Sequence, residues 1–176
     1  MRQGRLLRRR NLQGVQAGFW IVETALPLVR HVEVLLKVLR KTKVLLSKLG
    51  LDVHNRGLIT VAKELSEAGM EVIYIGNSLP KEIIATAIQE DVDVVGVSSL
   101  GGAHLTLGGE LMEEAKRERL KERMGFVIGG VFPPGDAENL KQVGFDETFM
   151  PGATREEIVS KIQKIVSDKM EVDRKK

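Results

Sequence analysis

From Lys43 onward the chain alternates short apolar runs with longer stretches of helical periodicity. KVLLSK (43–48) is a strand-type run. Over 57–69, Leu58, Val61, Ala62, Leu65 and Ala68 fall on one helical face, and Gly69 ends the pattern as a glycine after a helix does. EVIYIG (71–76) is a second strand. Pro80 opens a helix running to Glu90, at a place where its missing N–H costs nothing. DVVGVSS (93–99) is a third strand, and residues 104–122 read as a long helix. GFVIGG (125–130) is a fourth strand, followed by a short helix capped by Asp136 and reaching Val143. FDETFM (145–150) is a short fifth strand. Thr154, with Glu157 three residues later, forms a capping box for a last helix over 155–168.

Strands alternating with helices predict a parallel sheet covered on both faces. Five such strands fit a flavodoxin-like, doubly wound α/β fold with strand order 2-1-3-4-5, reached by right-handed crossovers. Ligands of such sheets bind beyond the carboxyl ends of the strands, at the switch point between strands 1 and 3. The loops after KVLLSK, VVGVSS and FVIGG are therefore where function is expected.

Composition narrows the chemistry. The 176 residues suit one domain, read here as 42–170, with 171–176 as a charged tail. There is no cysteine, which excludes disulfides, thiolate metal sites and cysteine nucleophiles, and suits a reducing cytoplasm. No apolar run approaches the roughly 18 residues that span a bilayer, so no membrane segment is expected. The net charge of +3 is uneven: residues 1–50 hold 11 Lys/Arg against two acids, and the rest holds 16 against 22. The globular part is acidic, so a nucleic-acid partner is not expected. Residues 1–41 form a basic extension without apolar periodicity. It reads as a disordered tail or as upstream sequence attached by a misassigned start, with an organelle-targeting leader as the third reading.

The first loop reads Asp52-Val53-His54-Asn55-Arg56-Gly57. An aspartate two residues before a histidine, in an extended loop, can accept a hydrogen bond from one imidazole nitrogen and leave the other facing outward. That is the carboxylate–histidine–metal arrangement, which fixes the tautomer and raises the basicity of the ligating nitrogen. Gly57 allows close backbone approach where the next helix starts. The second loop begins Ser98-Ser99-Leu100, and the third begins Gly129-Gly130. Small residues at these strand ends leave an opening for a bulky flat group. Each piece alone is a common surface pair, helix cap or turn. Together they carry information: 40 residues separate Gly57 from Ser98, and 28 separate Leu100 from Gly129.

In order and spacing these pieces resemble the signature of the cobalamin (B12)-binding domain family. Residues 48–76, 94–116 and 128–159 are similar to stretches of the B12-binding subunit or domain of methylmalonyl-CoA mutase, so the resemblance covers about 42–166. It implies cobalamin bound base-off, with His54 as the cobalt ligand and Asp52 behind it. Val53, Asn55, Arg56 and Gly57 would complete the loop. Ser98 and Leu100 would line the pocket for the benzimidazole tail, with Gly129 and Gly130 making room on the other wall. The implied cofactor is adenosylcobalamin, and the implied activity is an isomerase: radical interconversion of methylmalonyl-CoA and succinyl-CoA. The acyl-CoA would bind on a barrel-type large catalytic mutase subunit, a barrel needing roughly 200 residues or more. A GTPase chaperone of the mutase is a further implied partner. The chain departs from the family at Met150-Pro151-Gly152-Ala153, where Gly-Pro-Gly-Thr is usual. Against the family pattern, Ala153 would lack a hydroxyl for the nucleotide tail, and the bulkier Met150 would narrow the pocket mouth.

Other polar features read more plainly. His104 is expected as a polar residue at a helix start, with contact to the corrin or the partner as the sharper alternative. His31 carries no function. KRERLKER (116–123) is a solvated face, and Phe132-Pro133-Pro134 is a candidate interface loop. The alternative functions are a corrinoid methyl carrier or a B12-sensing module of the same fold, and a flavodoxin-like response module that binds no cobalamin.

Overall fold

The computed structural model describes residues 40–174 apart from Gly101 and Pro134. The chain divides into Met1–Arg40 and Lys41–Lys176. Nearly all of the expected N-terminal extension, with His31, lies outside the described residues.

Lys41–Lys176 contains a five-stranded sheet of β1 (Lys43–Leu49), β2 (Glu71–Ser78), β3 (Val94–Ser99), β4 (Gly125–Gly130) and β5 (Glu147–Phe149). Every pairing is parallel, as the alternation of elements predicts, and the order is β2-β1-β3-β4-β5, the flavodoxin-like order expected for five strands. Strands β1 and β3 are buried along almost their whole length, because helices cover both faces.

Side chains alternate between two cores. Leu45, Leu49, Val95, Val97, Phe126 and Ile128 point to one face. There they meet Ile83 and Ile84 of α2 (Pro80–Gln89), Leu111 and Met112 of α3 (His104–Arg117) and Leu140 of α4 (Asp136–Val143). Val44, Leu46, Val94 and Val127 point to the other face. Their partners are Leu58 and Leu65 of α1 (Arg56–Glu67), and Ile158, Ile162 and Val166 of α5 (Arg155–Arg174). Truncating any such fully buried leucine costs about 2–5 kcal/mol.

Three helix ends differ from the sequence reading for local reasons. Helix α3 stops at Arg117, not 122. Arg119 takes a left-handed conformation (φ 55°), and the Leu120 amide bonds back to the Ala115 carbonyl, which tucks Leu120 into the core. Helix α5 runs to Arg174, past the expected end at Asp168, because Ile165, Val166 and Met170 keep packing on the α1/α5 face. At the start of α5, Thr154 Oγ accepts from the Glu157 amide at 3.2 Å as predicted. The Glu157 carboxylate, however, binds Lys161 at 2.8 Å, so half of the capping box forms.

Candidate functional site

The three sequence motifs meet at the carboxyl edge of the sheet. Strand register places Lys48 beside Ser98, Ser98 beside Gly129, and Gly129 beside Phe149. Aligned residues of parallel strands point the same way. Alternation from Val94 and Val127 puts Ser98 and Gly129 on the α1/α5 face. A Cβ on Gly129 would meet only the Phe149 carbonyl, at 3.7 Å. Gly130 faces the opposite side. A Cβ there would run into the Ser99 carbonyl and would stand 2.8 Å from the Phe132 ring. The expected pairing of Gly129 and Gly130 along one wall is thus divided between two faces, because adjacent strand residues point opposite ways.

The β1–α1 loop is organised by Asp52, whose side chain is 3% exposed. Its Oδ1 accepts from the His54 amide at 2.8 Å and from His54 Nδ1 at 2.9 Å. Its Oδ2 accepts from the Leu100 amide at 2.7 Å. Burial works to raise the Asp52 pKa. The two backbone amides and the His54 ring outweigh it and hold the carboxyl below its ordinary value. An ionised Asp52 can only accept, so Nδ1 of His54 carries a proton, and in the neutral ring the lone pair then lies on Nε2. The His54 side chain is 60% exposed, so Nε2 is open to a ligand. The same geometry removes the response-module alternative at its one candidate phosphoacceptor: Asp52 is buried and both its oxygens are engaged.

Two residues outside the sequence reading complete the loop. Lys48 Nζ donates to the Asp52 carbonyl at 2.6 Å, and Asn77 Nδ2 donates to the same oxygen at 2.9 Å. Lys48 is itself buried, on the α1/α5 face beside Val44 and Leu46. A lysine inside the buried stretch of KVLLSKL, past Lys43 at its start, was the one mark the sequence carried; Asn77 had none.

The remaining candidates spread along the rim. Val53 is 84% exposed, and Asn55 and Arg56 are exposed at the start of α1. Nothing lies within 4 Å of where a Gly57 Cβ would be, so the protein itself does not require glycine there. Leu100 is half-exposed and enters the site through its amide. Leu51, Leu79, Val131 and Met150 are also exposed at strand carboxyl ends, which makes this edge apolar for a protein surface. His104 is the first residue of α3, as the sequence reading has it, and it is buried. Its Nε2 lies 2.8 Å from Asp136 Oδ2, and its ring stands 4.9 Å from that of Phe132. Asp136 is the first residue of α4, whose cap position is Gly135. No helix among the described residues is long and apolar enough to cross a membrane.

A flavodoxin-like sheet with a carboxylate-held imidazole at its switch point places that side chain where sheets of this class bind their ligands. Residues 42–160 match the family model of the B12 binding domain, and the chain belongs to that family. Its cofactor is cobalamin. The chain is similar to the 2-hydroxyisobutanoyl-CoA mutase small subunit of Aquincola tertiaricarbonis, 40% identical over 126 residues, covering 71% of this chain and 92% of that one. It is also similar to the methylmalonyl-CoA mutase large subunit of Streptomyces virginiae, 39% identical over 115 residues, 64% of this chain and 15% of that one. Among solved structures, a cobalamin-binding protein from Desulfitobacterium hafniense DCB-2 superposes with a TM-score of 0.60 at 25% identity, covering 70% of this chain and 58% of that one.

Proposed function

We propose that the chain is the B12-binding subunit of an adenosylcobalamin-dependent acyl-CoA mutase, holding cobalamin base-off with His54 Nε2 as the lower axial ligand of cobalt. The Asp52–His54 pair carries this reading. It fixes the tautomer, aims the free nitrogen outward and sits at the switch point of the sheet. Imidazole suits cobalt in softness and geometry. Among the described residues no three His, Cys, Asp or Glu side chains converge on a metal position, and a macrocycle that already carries its metal asks for one donor only.

The chain's own features fit such a guest. Open space at Gly57 and small residues on the α1/α5 face at Ser98 and Gly129 leave room for the benzimidazole tail. The exposed rim of Leu51, Val53, Leu100 and Val131 suits the apolar face of a corrin. Bound adenosylcobalamin supplies the radical chemistry of the isomerisation, while the protein positions it. The acyl-CoA binds on a large catalytic subunit, and the small-subunit relative supports that division of labour. Methylmalonyl-CoA to succinyl-CoA is the reaction we assign. It rests on the sequence resemblance and the Streptomyces relative, whereas the Aquincola relative argues for branched acyl-CoA esters in general. A GTPase chaperone and a cytoplasmic setting belong to the same reading.

The test uses cobalamin with isotopically labelled benzimidazole nitrogens. After gel filtration and reduction to Co(II), the electron paramagnetic resonance spectrum should show coupling to an unlabelled protein nitrogen, and His54→Ala should abolish it. Coupling to the labelled nitrogen in the wild type would sink the reading. Turnover of methylmalonyl-CoA against 2-hydroxyisobutanoyl-CoA in the complex with a large subunit then decides the substrate.

A further inference from the structure

Strand β2 carries one residue more than β1 can pair. Leu46 lies beside Tyr74, but Lys48 lies beside Asn77, so Ile75 and Gly76 together oppose Ser47. This is a β-bulge, and Gly76 supplies the positive φ (72°) that the irregularity needs. Ser47 Oγ donates to the Gly76 carbonyl at 3.0 Å and locks the bulge in place. Without the extra residue, the register set by Lys43–Leu46 would put Gly76 beside Lys48 and Asn77 beside Leu49. The bulge therefore moves Asn77 back by one position and brings it level with Lys48.

The consequence appears in the β1–α1 loop. Lys48 and Asn77, now neighbours in register, donate to the same acceptor, the Asp52 carbonyl. The Ser78 carbonyl, next along β2, accepts from the Gly50 amide at 3.0 Å and fixes the root of the same loop. Asn77 is hydrogen-bonded to neither the Asp52 carboxylate nor the His54 ring. We infer that Asn77 is a positioning residue for the axial histidine: the bulged edge strand holds the Asp52 backbone, and through it sets where the Asp52–His54 pair rests before cobalamin arrives. The inference rests on the reading of His54 as cobalt ligand, and it assigns β2 a share in the site that the motif loops do not show.

Asn77 is exposed, so its replacement leaves the core untouched. The first readout needs no cofactor. Amide hydrogen exchange at His54 and Leu100, both bonded to Asp52, should quicken by about threefold to tenfold in Asn77→Ala, the population shift expected from losing one such hydrogen bond. Asn77→Asp, which sets a carboxylate against the carbonyl, should do at least as much. The Val95 amide in the sheet centre should be unchanged in both. The second readout is cobalamin bound to the full chain. Asn77→Ala should release it faster by a similar factor yet keep the protein-nitrogen coupling, because His54 remains. Unchanged exchange and release in both variants overturn the role of Asn77 and leave the axial histidine standing. A wild type without protein-nitrogen coupling overturns the axial histidine, and the role of Asn77 falls with it.

Discussion

The Asp52 carboxylate bonds the backbone amide of Leu100, 2.7 Å away and 48 residues along the chain, and so ties the loop after β1 to the loop after β3. One oxygen serves that amide while the other serves His54, so a single buried group orients the imidazole and joins two motif loops. Asp52→Ala removes both roles at once. It leaves the Leu100 amide without its acceptor, a loss worth about 1–3 kcal/mol where the group stays buried. It also frees the tautomer of His54. Cobalamin affinity should fall by about 10–100-fold, the usual scale for removing a carboxylate behind a metal-bound histidine. Spectrophotometric titration of cobalamin checks this. An affinity within twofold of wild type would show that the pair is not part of the site.

The pair of His104 and Asp136 joins two other loops without an exposed ring. His104 Nε2 is held by Asp136, whereas Nδ1 is buried without a partner among the described residues. Asp136→Ala leaves a second buried ring nitrogen unpaired and should lower stability by about 1–3 kcal/mol. His104→Phe removes both nitrogens and keeps a ring against Phe132, while Asp136 retains Asn139 at 3.3 Å and partial exposure. It should cost less than Asp136→Ala. Urea unfolding of the two variants gives the order, and the reverse order would mean that the packing of the imidazole, rather than the unpaired buried nitrogen, carries the energy.

Much of this fold could be read before any coordinates, for identifiable reasons. Apolar runs broken by helical periodicity specify a parallel sheet, and five such strands fit the order 2-1-3-4-5. His54 and Asp52 were legible because they stand two residues apart in one loop, a local pattern. Lys48 and Asn77 were not, because both act on a backbone carbonyl, an acceptor that every residue possesses and no sequence marks. Asn77 also depends on a bulge that only the strand register reveals. Gly129 and Gly130 read as a unit in the sequence, yet a pleated strand sends them to opposite faces. His104 stands at a helix start as read, but its burial was not legible, because Phe132 and Asp136 reach it from the next strand–helix connection.

Acid stability should carry the mark of Glu147 on the edge strand. Burial works to raise its pKa, but the Lys141 ammonium at 2.9 Å, the Thr148 amide and Lys161 outweigh it, so the folded value lies below the ordinary one. A carboxyl depressed in the folded state stabilises above its unfolded pKa of about 4.3, and the contribution disappears as pH falls through the folded value. Lys141 is 42% exposed, so solvent screening limits the effect to about 1 kcal/mol or less. Glu147→Gln should be the less stable protein at pH 7, and the gap to wild type should close as pH drops below about 4. Urea unfolding at pH 7, 5 and 3 measures it. A gap independent of pH would assign the loss to packing instead of charge.

The two adjacent glycines of β4 separate the fold from the cofactor. At Gly130 a methyl group would strike the Ser99 carbonyl and press on the Phe132 ring, and backbone cannot yield as a side chain tip can. Gly130→Ala should therefore cost about 1–3 kcal/mol or more, as overpacking a filled core does. At Gly129 the methyl group would meet one carbonyl at ordinary contact distance, 3.7 Å, on the face shared with Ser98. Gly129→Ala should fold with stability within about 0.5 kcal/mol of wild type, since alanine in a strand gives up less chain entropy than glycine. If the benzimidazole tail enters along that face, the same methyl group takes space the tail needs, and cobalamin retention should fall steeply while the unfolding midpoint stays put. Thermal unfolding and gel-filtration retention, run on both variants, give a crossed pattern: Gly130→Ala weak in the first, Gly129→Ala weak in the second. Full retention by Gly129→Ala would move the tail to another part of the surface, while leaving His54 and its aspartate where they are.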